Sequence, residues 1–199
     1  MKITNIKQQI KRTDRYSIYV DGRYVCSFSE AELLKLGLHS GQELTEGELE
    51  GLKDDSLKDK AYMRTLDLVS RRPRSEWELR DYMKRKGYDE EIVEATLNKL
   101  SNLDLINDKD FARRWIENRR LLKSTSNRRL VQELRQKHIA DEIIEEVMVA
   151  DPADEVEMLK ELVERKRRQA KYHDDQKLMQ YLARQGFSYD DIRSALSRE

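Results

Sequence analysis

Apolar and polar positions alternate in short runs over residues 2–28: Tyr16, Ile18 and Val20 alternate with Ser17 and Tyr19, and Tyr24, Cys26 and Phe28 fall on one side of the next run. A period of two sends successive side chains to opposite faces of a strand. The pattern therefore predicts a small antiparallel meander with strands at 3–10, 16–20 and 23–28. Asp21 and Gly22 supply the positive backbone dihedrals that a two-residue hairpin demands. One face of this sheet is apolar and needs a cover. A short helix is predicted to provide it, opened by Ser29 with Glu32 in the reciprocal spacing of a capping box and stopped at Gly37. Thr45 and Glu48 give the same opening signal for another helix. A module of about fifty residues buries too little to be very stable alone, and it is expected to lean on the helices C-terminal to it.

From residue 56 onward no strand signal recurs and the period becomes helical. The pattern then repeats itself. Leu79, Met83, Gly87 and Tyr88 correspond in spacing to Leu130, Leu134, His138 and Ile139, and to Leu178, Leu182, Gly186 and Phe187, at offsets of 51 and then 48. Val93 and Leu97 answer in the same register to Ile144 and Met148 and to Ile192 and Leu196. Such self-similarity marks tandem structural units. Each unit reads as a long helix, a second helix ending in a turn residue followed by an apolar one, and a short third helix. Helix starts are signalled by Ser75 with Glu78, by Asp151 before Pro152 at a first helical position, and by Ser188 with Asp191. Gly87 and Gly186 sit where a helix end turns left-handed, and His138 takes that place in the second unit at some conformational cost. The expected fold is mainly α: three tandem three-helix repeats at 54–106, 107–149 and 150–199, in an elongated curved array, after a β-hairpin or meander module at 1–53.

Charged residues make up 39% of the chain and hydrophobic ones 38%, which suits small units in a row better than one large core. The chain is neutral overall, yet residues 54–106 sum to minus one, 107–149 to plus two and 150–199 to minus one. Eight Lys or Arg lie between positions 113 and 135 against only Glu117 and Glu133. Phe111, Ala112, Trp115, Ile116 and Leu122 recur at helical spacing there, as do Leu130, Val131 and Leu134, and these are expected to face a core. Arg113, Arg114, Arg119, Arg120, Lys123, Arg128 and Arg129 are then left outside, where an anionic partner would meet them favourably. The plain alternative is a solvated charged face, and charge alone does not separate the two. Two further clusters are Arg71, Arg72 and Arg74 at an interhelical turn, and Arg165, Lys166, Arg167, Arg168 and Lys171 at the end of the last long helix. If the array curves, these would line one concave side with the middle repeat. The binding reading requires that the arginines from 113 to 129 are not locked to the chain's own acids.

Groupings that carry chemistry are sparse. Cys26 is a single cysteine in a strand-like run and reads as a small apolar filler. His39, His138 and His173 lie in different units without paired ligand spacing, and the glycines at 37, 41, 47 and 51 form no phosphate loop. The acids fall in first turns and on exposed faces, where the helix dipole accounts for them. No catalytic residue, metal or cofactor is therefore assigned, and the expectation is a binding protein without enzymatic activity. No apolar stretch approaches the roughly 18 to 20 residues of a membrane span, and the first residues lack a signal-peptide core; a cytoplasmic monomer is expected. Trp77, Trp115, Tyr62, Tyr82, Tyr88, Phe111 and Tyr181 read as core residues, whereas Tyr172, beyond a basic run, is a candidate for stacking on a base or a partner side chain.

With the repeats aligned, Asp110-Phe111-Ala112, Trp115-Ile116-Glu117-Asn118-Arg119, Arg129-Leu130, Glu133-Leu134 and Lys137 resemble the central motif of the RecX family of bacterial regulatory proteins. Arg71 to Ser75, then Glu78-Leu79 and Lys86-Gly87-Tyr88, resemble that family's first motif, and the hairpin from Tyr16 to Gly22 with Gly41 to Leu44 looks like the extension of its longer members. His138 departs from the glycine common there, which is expected to alter a turn more than an activity. The resemblance implies a modulator of the RecA recombinase that binds in the groove of the RecA nucleoprotein filament and limits its extension, ATP hydrolysis and strand exchange. Single- or double-stranded DNA is a further candidate partner. Two other readings stay open: a DNA-binding protein using the short helices of a repeat as a helix-turn-helix, and a structural adaptor. The acidic third helices, with Asp89-Glu90-Glu91 and Glu142, Glu145 and Glu146, argue against the first.

Overall fold

The computed structural model describes residues 1–197. Strands β1 (Ile3–Gln8), β2 (Arg15–Val20) and β3 (Arg23–Ser29) form an antiparallel sheet in chain order. Asp21 and Gly22 close the second hairpin with φ of 48° and 80°. β1 stops short of the expected residue 10 because the Gln9 N–H already bonds back to the Arg15 carbonyl at 2.9 Å. The loop beyond leaves Ile10 98% exposed.

Ile3, Ile18, Val20, Cys26 and Phe28 fill the inner side of the sheet with Leu44 and Leu52. Helix α1 (Glu30–Lys35) has no buried residue of its own, although Leu33 packs at the margin of that core. The larger cover is α2 (Glu46–Arg71), which lays Leu52, Ser56 and Asp59 along β3. Ser56 Oγ donates to the Ser27 carbonyl at 2.9 Å and accepts from the Ser27 N–H at 3.4 Å, which occupies an otherwise unpaired strand edge.

Asp59 also changes the expected capping box. Ser29 accepts from the Glu32 N–H as predicted, but its own N–H and hydroxyl donate to Asp59 at 2.9 and 2.6 Å. Asp59 pairs with Arg15 at 3.0 Å, and the side chains are only 3% and 6% exposed. Thr45 and Glu48 do form a complete box at the start of α2. That helix runs unbroken through residues 53 and 54, so one element serves both the sheet and the first repeat.

The chain divides into two compact units, the first comprising Met1–Arg74 and Leu79–Ile106. Beyond the sheet, this unit encloses Leu79, Met83, Val93, Leu97, Leu100 and Ile106 between α2, most of α3 (Glu76–Arg85) and α4 (Glu90–Asn102). Cys26 is buried, and burial pushes its thiol up to about 11. At pH 8 it is therefore a neutral, inert thiol. The folded protein should fail to react with an aromatic disulfide reagent that labels it fully in guanidinium; prompt labelling of the folded chain would contradict this.

The second unit takes Ser75–Glu78 and the chain from Asn107 onward. It holds α5 (Asp108–Lys123), α6 (Asn127–Gln136) and α7 (Asp141–Ala150), then α8 (Glu155–Arg167), one 3-10 turn at Ala170–Tyr172, α9 (Asp175–Arg184) and α10 (Tyr189–Leu196). Each trio has its own core: Phe111, Ile116, Leu130, Leu134 and Ile144 in one, and Leu159, Leu162, Leu178, Leu182 and Ile192 in the other. Positions aligned by the repeat behave alike, since Leu79, Leu130 and Leu178 are all 0% exposed. Gly87, His138 and Gly186 all adopt positive φ, at 79°, 55° and 96°.

Three expectations are corrected. Leu122 is 77% exposed, because α5 continues more than a turn past Ile116, its last buried residue. Trp77 stacks on His138, with ring centroids 4.0 Å apart, and does not enter a core. Pro152 is not at a first helical position: α8 starts at Glu155, capped by Asp154, whose carboxylate accepts from Val156 and Glu157.

Candidate partner-binding surface

The basic residues of α5 and α6 sit on an amphipathic pair, and their neighbours divide them into two groups. Arg120, expected outside, is drawn inward. It bonds Asp151 at 2.6 Å, reaches the Thr125 carbonyl and Asn127 Oδ1, and its side chain is 11% exposed. It thereby ties the end of α5 to the connection that precedes α8. Arg119 and Arg129 converge on Glu133 at 2.7 and 3.2 Å, and the Trp115 indole donates to the same carboxylate at 3.0 Å. The Arg119 guanidinium lies 4.8 Å from the Trp115 ring centroid. These three arginines are committed to the chain's own acids, and the condition of an unlocked strip fails for them.

The remaining cations of this stretch are different. Arg113 and Arg114 are exposed and share one acid, Asp110, at 2.5 and 3.9 Å. Lys123 and Arg128 are exposed and have no ion pair among the described residues. Arg128 borders an open groove of about 490 Å³ between α6 and the end of α9, lined also by Arg129, Gln132, Gln136 and Arg184.

The other clusters are likewise partly committed. Arg71 pairs with Asp67 at 2.8 Å, Arg72 donates to the Pro73 carbonyl at 2.9 Å, and Arg74 is half-buried just before α3. In the last cluster, Lys166 lies over Tyr181 and Tyr172, while Arg167 pairs with Asp175 and donates to the His173 carbonyl at 3.1 Å. Arg165 donates to Ser124 Oγ at 3.1 Å. Arg168 and Lys171 remain exposed. Tyr172 is not poised for an outside base: it packs on Tyr181 at 5.2 Å, beside the third core.

Two junctions inside the second unit repeat one device. Ser75 Oγ donates to the Lys137 carbonyl at 3.1 Å, and Ser126 Oγ donates to the Gln185 carbonyl at 3.0 Å. In each case the serine preceding a second helix joins the last turn of the second helix of the next repeat. Lys137 also pairs with Glu78 at 2.7 Å. Asp108 accepts from the Glu76 N–H at 2.8 Å, and burial nevertheless holds its carboxyl above the ordinary carboxylate range.

Four stretches of the chain match, in order, the parts of one family. Residues 1–45 match the "Regulatory protein RecX N-terminal domain", 61–100 the "RecX, first three-helix domain", 107–148 the second and 153–196 the third. A "Regulatory protein RecX" of Listeria welshimeri is 31% identical over 98% of this chain and 74% of its own length. The chain belongs to the RecX family. A RecX of Caldanaerobacter subterraneus is 29% identical over 99% of both chains. A crystal structure of regulatory protein RecX aligns with a TM-score of 0.71 at 31% identity over 98% of both chains. That of RecX from Lactobacillus salivarius gives 0.61 at 28% identity over 71% of this chain and 95% of the other.

RecX proteins are a regulatory family, and this member has no helix long and apolar enough to cross a membrane among the described residues. Two acids that decide how its RecX arginines are used, Glu133 and Asp151, were absent from the sequence-based site. Glu133 was within reach, since it lies four residues after Arg129 on one helix face. Asp151 gave no signal: its partner is 31 residues away and only the fold brings them together.

Proposed function

We propose that this chain regulates the RecA recombinase by binding its nucleoprotein filament and limiting filament extension, ATP hydrolysis and strand exchange, with no reaction of its own. The ordered match of all four segments to the RecX family supports the reading. The surface assigned to the contact is narrower than charge alone suggested. Arg113, Arg114, Lys123 and Arg128 bear it in the middle repeat, with Arg168 and Lys171 in the last, and the cluster at Arg71, Arg72 and Arg74 is a secondary contact. Exposed cations of this kind dock on acidic side chains or phosphates, while Arg119, Arg120 and Arg129 keep the bundles in shape.

Replacing Arg113, Arg114, Lys123 and Arg128 together by alanine is expected to abolish inhibition of RecA's single-stranded-DNA-dependent ATPase. Thermal unfolding should barely move, because exposed substitutions of this kind change stability by about 0.5 kcal/mol or less each. A folded quadruple variant that inhibits fully would refute the assigned surface. The helix-turn-helix alternative is weakened by the first turns of α4, α7 and α10, which carry Glu90 and Glu91, Asp141 and Glu142, and Asp190 and Asp191. A recognition helix places its N-terminal residues against the groove, where such acids would be repelled by phosphates.

A further inference from the structure

The sheet has a second side, opposite its core. Tyr19 and Tyr24, on adjacent strands, stand edge to face with ring centroids 6.0 Å apart, and Lys7 lies 5.6 Å from the Tyr19 ring centroid. Neither tyrosine belongs to the core of the sheet: the pairing shifts between Ile18 and Tyr19, which turns Tyr24 away from the side of Cys26 and Phe28 where its spacing placed it and leaves it 57% exposed. The strands themselves carry an excess of positive charge. Residues 1–29 contain six Lys or Arg against only Asp14 and Asp21. Of the six, Arg15 is used by Asp59 and Arg12 by Asp14. Lys2, Lys7, Lys11 and Arg23 are exposed and have no ion pair among the described residues.

A sheet face bearing two aromatic rings with an unpaired lysine beside them matches what a single-stranded nucleic acid requires. Rings take the unstacked bases regardless of sequence, and ammonium groups follow the phosphates. A duplex hides its base faces and would gain nothing from the tyrosines. A purely acidic protein segment would use the lysines but not the rings. We infer that the outer face of the N-terminal sheet, centred on Tyr19 and Tyr24 with Lys7 beside them, binds single-stranded nucleic acid by base stacking. This face belongs to the chain itself and acts without RecA.

The full-length chain, with no RecA present, is titrated into a fluorescently labelled oligo-dT and followed by anisotropy. Tyr24→Ala should weaken binding about 5- to 10-fold or more, the lower range of one lost base–aromatic stack, while Tyr24→Phe keeps most of it. Lys7→Ala should reduce the slope of log affinity against log salt by about 0.7, as for one phosphate contact on a single strand. An oligonucleotide carrying 5-iodouracil, irradiated in the complex, should crosslink to Tyr19 or Tyr24. Tyr24 is exposed, so its variants should keep the parent's circular dichroism and unfolding midpoint. Unchanged oligo-dT affinity of Tyr24→Ala, or crosslinks confined to the α5–α9 arginines, would overturn the inference. Either result would leave the ATPase test on the quadruple variant unaffected.

Discussion

Arg120→Ala is expected to be the most damaging substitution among the basic residues, lowering stability by about 3 kcal/mol, the low end of what removing one partner of a buried ion pair costs. Its guanidinium meets Asp151 through two nitrogens, at 3.0 and 2.6 Å, and also serves the Thr125 carbonyl and Asn127. With Asp151 only 9% exposed, truncation leaves a nearly buried carboxylate without its countercharge. For a unit of this size the loss corresponds to a midpoint lower by roughly 10 to 20 °C. Arg120→Lys should recover only part of it, because one ammonium cannot reproduce the planar fork that reaches three acceptors. Arg113→Ala, in the same helix, should be close to neutral. Thermal unfolding followed by circular dichroism makes the comparison, and equal midpoints for Arg120→Ala and Arg113→Ala would show that the buried pair is not a structural tie. Any loss of the proposed RecA inhibition in Arg120→Ala would thus report damaged structure and not a lost contact.

Gly186→Ala should cost nearly as much by a different route. A Cβ there would lie 2.4 Å from Ser126 Oγ and 2.8 Å from Arg129 Cβ, and the backbone φ of +96° is one that L side chains rarely adopt. Ser126 cannot simply move aside. Its hydroxyl donates to the Gln185 carbonyl at 3.0 Å and accepts from the Arg129 N–H at 3.3 Å, which caps α6. Left-handed strain of about 1–2 kcal/mol combined with a disturbed cap worth about 1 kcal/mol gives a loss of roughly 3 kcal/mol. Gly87, the equivalent residue of the first repeat, has φ of +79° but nothing within 4 Å of the added carbon. Gly87→Ala should therefore show the strain alone, about 1–2 kcal/mol. Chemical denaturation of both variants tests the difference, and equal losses would mean that the close approach of Ser126 contributes nothing.

Arg120 and Gly186 both depend on partners far along the chain, and most of the fold does not. The period-two run with Asp21-Gly22, the 51- and 48-residue offsets of Leu79, Leu130 and Leu178, and the turn residues at 87, 138 and 186 each lie within a few positions of the signals that announce them. Strand, helix and turn propensities are local, so the sheet, the tandem helical units and most of their core positions followed from the residues alone, Leu122 and Trp77 excepted. The assignment of every arginine of α5 and α6 to the outside did not survive, because helical spacing says which way a side chain leaves its own helix and nothing about what stands there.

The amino-acid order by itself determined a small sheet followed by three look-alike helical trios, the RecX resemblance and an excess of positive charge in the middle trio. Only the tertiary structure decided which of those charges are available. Arg120 meets Asp151 across 31 residues, and Arg119 reaches Glu133 on the neighbouring helix, whereas Lys123 and Arg128 find no acid among the described residues. Folding likewise set Tyr19, Tyr24 and Lys7 side by side on the outer sheet face. Ion pairs and ring stacks act over a few ångströms in space, and distance along the chain carries no information about that separation until the backbone has been folded.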